Sequence, residues 1–419
     1  MHTGSVWRDR DFRSYWAAHT ISQVGSAVTS IALPLVALLE LDASALQVGL
    51  LRAAEFLPYL LLTLPAGELV DRFRRRPLMV GCDLVRAAAL ILIPIAAVGG
   101  LLSLPLLFAV AAVVGSATVL FDVASVSVLP SLVGRSGLLQ ANAALETSGS
   151  VALVAGPGLG GVLVGWVKAS GAMAVDAFSY LFSAVCLLLV RAPEPAPGGA
   201  GTGGIRHLAV GLQQVRQSPV LRPLVIYLGA TNLIFGLFEA ILIVFEVRGL
   251  GLGGQQVGVV TAVGNVGAVI GALTSRRIAT RVGIGWTLVV SALGNVLGSA
   301  LVTCAPRSGP IPLLIAGQFV FGVTVLWFNI QSLSLRQAVT PDRVRGRVNA
   351  AVRMLGFGAI PLGAALGGLL GSWIGLRETL GLATALALLA TVQLGMSPLR
   401  SLRSTPEEEP VWSSRAATA

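Results

Sequence analysis

The feature that most constrains this chain is a recurring apolar stretch of about twenty residues. Twelve such stretches lie near residues 14–39, 45–70, 78–98, 104–128, 143–167, 172–190, 219–247, 254–275, 286–305, 312–335, 349–373 and 378–398. Each is long enough to cross the roughly 30 Å of hydrocarbon in a bilayer as an α-helix. Composition points the same way. Of the 419 residues 55% are hydrophobic and only 11% are charged, whereas a soluble protein carries roughly a quarter charged residues to cover its surface. The chain reads as an all-α integral membrane protein with twelve transmembrane helices.

The net charge of +10 invites a nucleic-acid reading, which the distribution of charge excludes. Of the 29 basic residues only Lys168 is not an arginine, and the arginines sit in short clusters between the apolar runs, not along one face. Twelve spans leave both termini on one side. The connections on that side hold Arg72, Arg74, Arg75, Arg76, Arg135, Arg191, Arg206, Arg216, Arg276, Arg277, Arg281, Arg336, Arg343, Arg345 and Arg347. The opposite connections hold only Lys168, Arg248, Arg307 and Arg377. Basic residues accumulate in cytoplasmic loops, so both termini are expected in the cytoplasm. The heavy use of arginine with alanine, glycine and valine points to a bacterial plasma membrane. Cys82, Cys186 and Cys304 are far apart, with no CxxC spacing, so neither a disulfide framework nor a metal site is expected.

Residues 191–218 open with RAPEPAPGGAGTGG, a Pro/Gly stretch that cannot pack a core, followed by IRHLAVGLQQVRQS, a candidate amphipathic helix. This linker divides the chain into an N-terminal half, 1–190, and a C-terminal half, 219–398. A polar tail, 399–419, is expected to be disordered. The halves are weakly alike. LLQANAALETSGSVALVAGPGLGGVLVG after the fourth span and VRGRVNAAVRMLGFGAIPLGAALGGLLG after the tenth share Asn-Ala, a proline and a Gly-Gly pair. The expected architecture is two six-helix bundles related by pseudo-symmetry, a common transporter design.

Between the second and third spans stands Gly67-Glu-Leu-Val-Asp71-Arg72-Phe-Arg-Arg75-Arg76. It resembles the GxxxDRxGRR loop of the major facilitator superfamily, with Arg74 where the family usually has glycine, a change expected to weaken the tight turn. A degraded copy, Thr280-Arg281-Val-Gly283, lies between spans eight and nine. Span five holds Gly156-Pro157-Gly158-Leu159-Gly160-Gly161, which resembles the GPxxGG element of that family's exporters. Proline bends the helix and the glycines admit a close neighbour. PSLVGRSGLLQANAAL, AVDAFSYLFSA and TPDRVRGRVNA are similar to the drug-exporter branch that includes macrolide and enterobactin exporters. The resemblance covers almost the whole chain. It implies a gating latch of Gly67, Asp71, Arg72, Arg75 and Arg76, with Asp122 on span four as a partner for Arg75 or Arg72 and Asp71 near the start of span eleven at Asn349. The competing reading is that these arginines only set topology.

Charges within spans are expensive and usually functional. Arg52 and Glu55 are three residues apart on span two and share a helix face. Glu55 is the first candidate for a proton-carrying acid, with Arg52 tuning it; a local ion pair that locks the helix is the alternative. Glu239 on span seven is a second candidate acid, or an outer-interface residue. Asp83 and Arg86 on span three read as a structural pair near the inner face, and Asp176 on span six as structural at the outer end. His19 and Gln23, four apart on span one, and Asn232, Asn265, Asn329 and Gln331 are candidate cavity residues. Tyr59, Trp327 and Phe328 are aromatic candidates for a greasy pocket.

The chain has no GxxxxGK[ST] loop and no cluster of His, Cys or carboxylates with catalytic spacing. Neither an ATP-driven pump nor an enzyme is expected, and no cofactor. The resemblance implies a secondary efflux transporter, a proton-coupled antiporter that expels an amphipathic drug, secondary metabolite or siderophore by alternating access. Its partners are the small amphipathic substrate, protons and the lipid bilayer, without nucleic acid, and the expected unit is a monomer. The alternatives are a major facilitator importer or a lipid flippase, and more remotely a membrane-embedded enzyme. The topology is open to test: Arg74→Cys and Arg307→Cys, each as the sole cysteine, should react with a membrane-impermeant thiol reagent from opposite sides. Labelling from the same side would overturn it.

Overall fold

The computed structural model describes residues 6–192, 212–340 and 342–403. Among them there are only helices and short connections. In chain order the long helices are α1 (Arg10–Leu39), α2 (Ala45–Arg72), α3 (Arg75–Val98), α4 (Leu104–Leu189), α5 (Leu221–Val244), α6 (Gly254–Val282), α7 (Ile284–Thr303), α8 (Ile311–Val339), α9 (Asp342–Trp373) and α10 (Leu376–Met396). The segment α4 is not one continuous helix. Gly134 (φ 65°) and the pair Val167 and Lys168 (Lys168 φ 63°) leave helical geometry and cut it into limbs 104–133, 135–166 and 169–189.

Eleven helical segments among the described residues are long and apolar enough to span a bilayer. One of them, Gln140–Leu189, has 50 residues. At 1.5 Å per residue it is about two and a half times the hydrocarbon thickness. The break at Val167–Lys168 therefore separates spans five and six of the sequence reading, and the expected number is recovered only when that break counts as a boundary.

Local signals explain several ends. Asp9 caps α1 by accepting from the amides of Asp11 (2.8 Å) and Phe12 (3.3 Å). Ser44 and Gln47 form a reciprocal capping box at the start of α2, which satisfies two amides that have no partner within the helix. Prolines lie inside α1, α2, α3, α4 and α9, a use typical of membrane helices, whose neighbours can satisfy the freed carbonyls.

The chain divides into two compact units. Unit 1 is Met1–Thr202 with Leu252–Ala262, and unit 2 is Gly203–Gly251 with Val263–Ala419. In unit 1 the limbs of α4 pack against α1, α2 and α3. In unit 2 the main packing pairs are α5 with α9, α7 with α8, and α10 with both α5 and α7. The carbonyls of Leu233, Leu237 and Ile360 lie where a Cβ on Gly363, Gly367 or Gly236 would be, so α5 and α9 touch backbone to backbone. Such contact needs glycine on both helices.

Two expectations change. Arg74 sits at φ −65°, ψ 129°, extended backbone open to any residue, so replacing the family's glycine leaves the turn intact. The corresponding Gly283 has φ 86°, where glycine is needed. The start of the expected polar tail is also packed. Leu399 is buried among α5, α7 and α8, and the Leu402 carbonyl accepts from the Gly285 amide at 2.8 Å. Residues 404–419 and 193–211 lie outside the described residues; 212–217 are helical.

Gly363→Ala should lower the thermal stability of detergent-purified protein by about 1–3 kcal/mol through overpacking. Gly229→Ala, at a position with open space around a Cβ, should be neutral or stabilising by up to about 1 kcal/mol. Thermal unfolding of the two variants checks the pair, and equal behaviour would refute the backbone contact.

Candidate functional site

Unit 1 holds two ion pairs within its helices, Arg52–Glu55 and Asp83–Arg86. The ion pair of Asp83 and Arg86 joins adjacent turns of α3 and is enclosed, with Asp83 at 0% and Arg86 at 3% exposure. The Arg86 guanidinium lies between two rings, 4.4 Å from the centroid of Phe121 on the first limb of α4 and 4.1 Å from that of Tyr180 on the third. Stacking of this kind suits a weakly hydrated guanidinium. The Tyr180 hydroxyl bonds Ser26 of α1 at 2.8 Å. One turn before it, Asp176, fully buried, accepts from Thr29 (2.6 Å) and Ser179 (2.8 Å). Asp83, Arg86 and the span-six run thus belong to one polar seam joining α1, α3 and α4, which the sequence had suggested as separate structural features.

The same seam reaches His19 and Gln23. Gln23 Nε2 and His19 Nε2 are 2.6 Å apart, and Tyr15, whose ring stacks on that of His19, donates to the Ser125 carbonyl at 3.1 Å. On α2, Arg52 pairs with Glu55 at 3.0 Å; Arg52 is nearly enclosed and Glu55 is half-buried. The Tyr59 hydroxyl donates to Asp122 at 3.0 Å. Gly115 lies against the Glu55 carbonyl, without room for a Cβ, so the first limb of α4 holds Glu55 in place through its backbone.

Of the candidate latch, Arg75 donates to the Ser127 carbonyl at 3.0 Å and Arg76 to that of Val190. The first carbonyl lies within the first limb of α4 and the second just past the end of α4. A Cβ on Gly67 would meet open space, and Arg72 is exposed at the end of α2. The side chain of Asp71 lies outside the described residues. In the GPxxGG segment, Gly156 abuts Ala27, and a Cβ on Gly160 would lie 3.2 Å from the Val28 carbonyl. A Cβ on Gly161 would lie 2.7 Å from the Gly254 carbonyl and 2.9 Å from Cα of Gly258, and one on Gly258 would lie 2.5 Å from the Pro157 carbonyl. The motif thus packs against α1 on one side and against the first turns of α6 on the other.

Unit 2 offers a different environment, a cavity of about 220 Å³ between α5, α7, α8 and α10. Phe235, Phe238, Phe321 and Phe328 supply apolar walls, and no charged residue lines it. Phe235 and Phe321 stack with centroids 6.3 Å apart. Polar atoms come from Asn232, Asn295 and Asn329, with Ser299, Thr231 and Thr391. Asn232 donates to the Leu228 carbonyl at 2.8 Å, and Asn295 accepts from Thr324 at 2.6 Å.

Asn232 and Asn329 therefore share the cavity, as does Phe328. Asn265 lies on α6, Gln331 turns away to Ser275 (2.9 Å), Trp327 donates to Thr274 (2.8 Å), and Glu239 is half-buried on α5; none of these four lines it. Sequence reasoning passed over Asn295, although it carries the same signal as the others, an amide inside an apolar span.

Comparisons with known proteins bear on the family and the fold. A profile described as the Major Facilitator Superfamily matches residues 15–304 and 247–417. The multidrug efflux pump Tap of Mycolicibacterium fortuitum is 28% identical over 397 residues, covering 90% of this chain and 93% of that protein. The multidrug efflux pump Tap of Mycobacterium tuberculosis is 29% identical over 415 residues, with 94% of each covered. Among solved structures, a bacterial homologue of the iron transporter ferroportin superposes with a TM-score of 0.76 at 18% identity, over 94% of this chain and 99% of that one.

Removing one partner of an enclosed ion pair leaves an uncompensated charge. Asp83→Asn should therefore destabilise the detergent-purified protein by about 3–5 kcal/mol. Asp122→Asn, at an exposed position, should cost about 1 kcal/mol or less. Thermal unfolding of both variants checks this order, and the reverse order would contradict the enclosed seam.

Proposed function

This chain belongs to the major facilitator superfamily, a multi-pass membrane transporter and not an enzyme, and we propose that it is a proton-coupled exporter of amphipathic small molecules. The observation that carries this reading is the likeness, over nine-tenths or more of both chains, to proteins named as multidrug efflux pumps. The two units add a physical rationale. A neutral, phenylalanine-walled cavity with a few amides and hydroxyls accepts molecules that are largely apolar with scattered polar groups, and places weak demands on their shape. The first candidate for a proton response, Glu55 with its partner Arg52, belongs to unit 1.

In this mechanism cargo enters from the cytoplasmic side or the inner leaflet and settles on the aromatic walls. Its polar atoms exchange water for the amides of Asn232, Asn295 and Asn329. Glu55, fixed by Arg52 and by the approach of Gly115, takes up and releases the proton. An acid that loses its charge also loosens its ion pair, and the change in pairing biases the helices around it. The loop from Gly67 to Arg76, with Asp71 and Asp122, latches one state of the alternating cycle, and the bend at Gly156–Gly161 gives close, low-friction packing. Both termini are cytoplasmic, the bacterial plasma membrane is the site of action and the monomer is the working unit. The bend and the named relatives favour export over uptake or lipid flipping.

Export is read in cells or inverted vesicles loaded with ethidium. Wild type should extrude it against a gradient and lose that ability when an uncoupler collapses the proton gradient. Glu55→Gln should abolish uphill extrusion while leaving ethidium binding within about threefold, a difference below 1 kcal/mol. Uptake in the reverse direction by wild type would favour the importer, and unaltered uphill export by Glu55→Gln would remove Glu55 from the coupling.

A further inference from the structure

The most unusual carboxylate in unit 2 is at neither the cavity nor the loops. Glu246 lies at the far end of α5, opposite the linker, inside a π-helical turn, Phe245–Gly249. The Leu250 amide donates to the Phe245 carbonyl five residues back, at 3.0 Å. Such single-turn insertions are uncommon and collect at functional sites, since they turn side chains off the regular face of the helix. Glu246 is 0% exposed, and Val244 and Phe245 beside it are almost equally enclosed. Neither of its carboxylate oxygens has a hydrogen-bond partner among the described residues.

None of the charged groups nearby on its own helix or on α10 hydrogen-bonds its carboxylate. On its own helix Glu239 is two turns earlier, a like charge, and Arg248 is within the same turn. From α10, which packs against the π turn, come Arg377 and Glu378. The Arg377 guanidinium lies 5.1 Å from the Phe245 ring centroid and donates to the carbonyls of Thr303 (2.8 Å) and Ala305 (2.7 Å), which close the end of α7. The length of α9 that follows α5 outward, 354–373, contains no charged residue. An ionised carboxylate without partners in such a place costs several kcal/mol, whereas the neutral acid leaves only modest polar atoms unsatisfied.

We propose that Glu246 is a proton-carrying site of this transporter, loaded while the π turn is closed and discharged when the turn opens to water. The inference rests on the reading of the chain as a proton-driven exporter and adds a second titrating site in the other unit. The balance is simple. The carboxyl O–H bond breaks, the proton passes to water, and the carboxylate is left hydrated; protonation from water reverses the step and lets the turn close again. A proton therefore cannot leave without motion at this end of α5. That links its release to a conformational step and prevents leakage in the closed state.

The test uses purified full-length protein in liposomes. Infrared difference spectra between acid and alkaline pH should contain a protonated-carboxyl C=O component that is missing in Glu246→Gln. Proton-gradient-driven ethidium extrusion by the same variant should be lost. An unchanged carboxyl component in Glu246→Gln overturns the proposal, and so does wild-type extrusion by that variant. If Glu246→Gln fails to fold, Glu246→Asp takes its place: it keeps an acid, so its carboxyl component should shift, and an unshifted one is again refuting. If wild type moves no ethidium, the exporter reading fails, while the infrared comparison still decides whether Glu246 binds the proton.

Discussion

Helices within a bilayer gain little by burying apolar side chains against each other, because the lipid is as apolar as they are. What holds this chain together must come from close backbone approach and from polar groups that lipid cannot satisfy. Both are prominent. The glycines that let α5 meet α9, and those of the GPxxGG segment that meet α1 and the first turns of α6, remove side chains so that backbones can touch. The seam of Tyr15, Asp83, Arg86, Asp176 and Tyr180 joins three elements of unit 1 through ion pair, hydroxyl and ring. Each device depends on the absence of water, which would swell the first and compete with the second.

The units use these devices in different proportions. Unit 1 encloses a compensated set of charges, and its arginine is held by aromatic faces as well as by a carboxylate. Unit 2 has a neutral cavity in which amides and hydroxyls are the only polar groups. A charge enclosed with its partner keeps one geometry, because every alternative leaves something buried and unpaired. A cavity of phenylalanines and amides tolerates many arrangements of a guest at similar energy. Rigidity and permissiveness thus reside in different parts of one chain.

The all-helical fold was largely legible in the sequence, since the length of its apolar spans is a one-dimensional consequence of the bilayer. A boundary between spans five and six was legible too, although the two limbs of α4 meet without a loop and only Val167 and Lys168 leave helical geometry there. Partnership was not legible. Asp83 and Arg86, three residues apart, were readable as a pair, but the rings of Phe121 and Tyr180 that enclose the arginine come from distant segments. Asn232 and Asn329 were found as amides in apolar spans, whereas Asn295, with the same signal, gained its role only from the helices around it. Glu246 stands in a short mixed run, FEVRG, that looks like the end of a span. Its enclosure is a property of the π turn and of α10, which no local pattern announces.

The two copies of the loop between paired spans have kept different kinds of information. At Arg74 the backbone is extended and indifferent to the side chain, so what that loop specifies is a set of charges, and residues there are free to change wherever the charge set survives. In the other copy Thr280 stands where the acid was, but Gly283 keeps a left-handed backbone, φ 86°, and a Cβ there would press on Arg403 at 3.2 Å. One copy of the loop thus differs from the other in kind, a cluster of charges against a required backbone shape. A search for internal symmetry that scores residue identity alone will undervalue both.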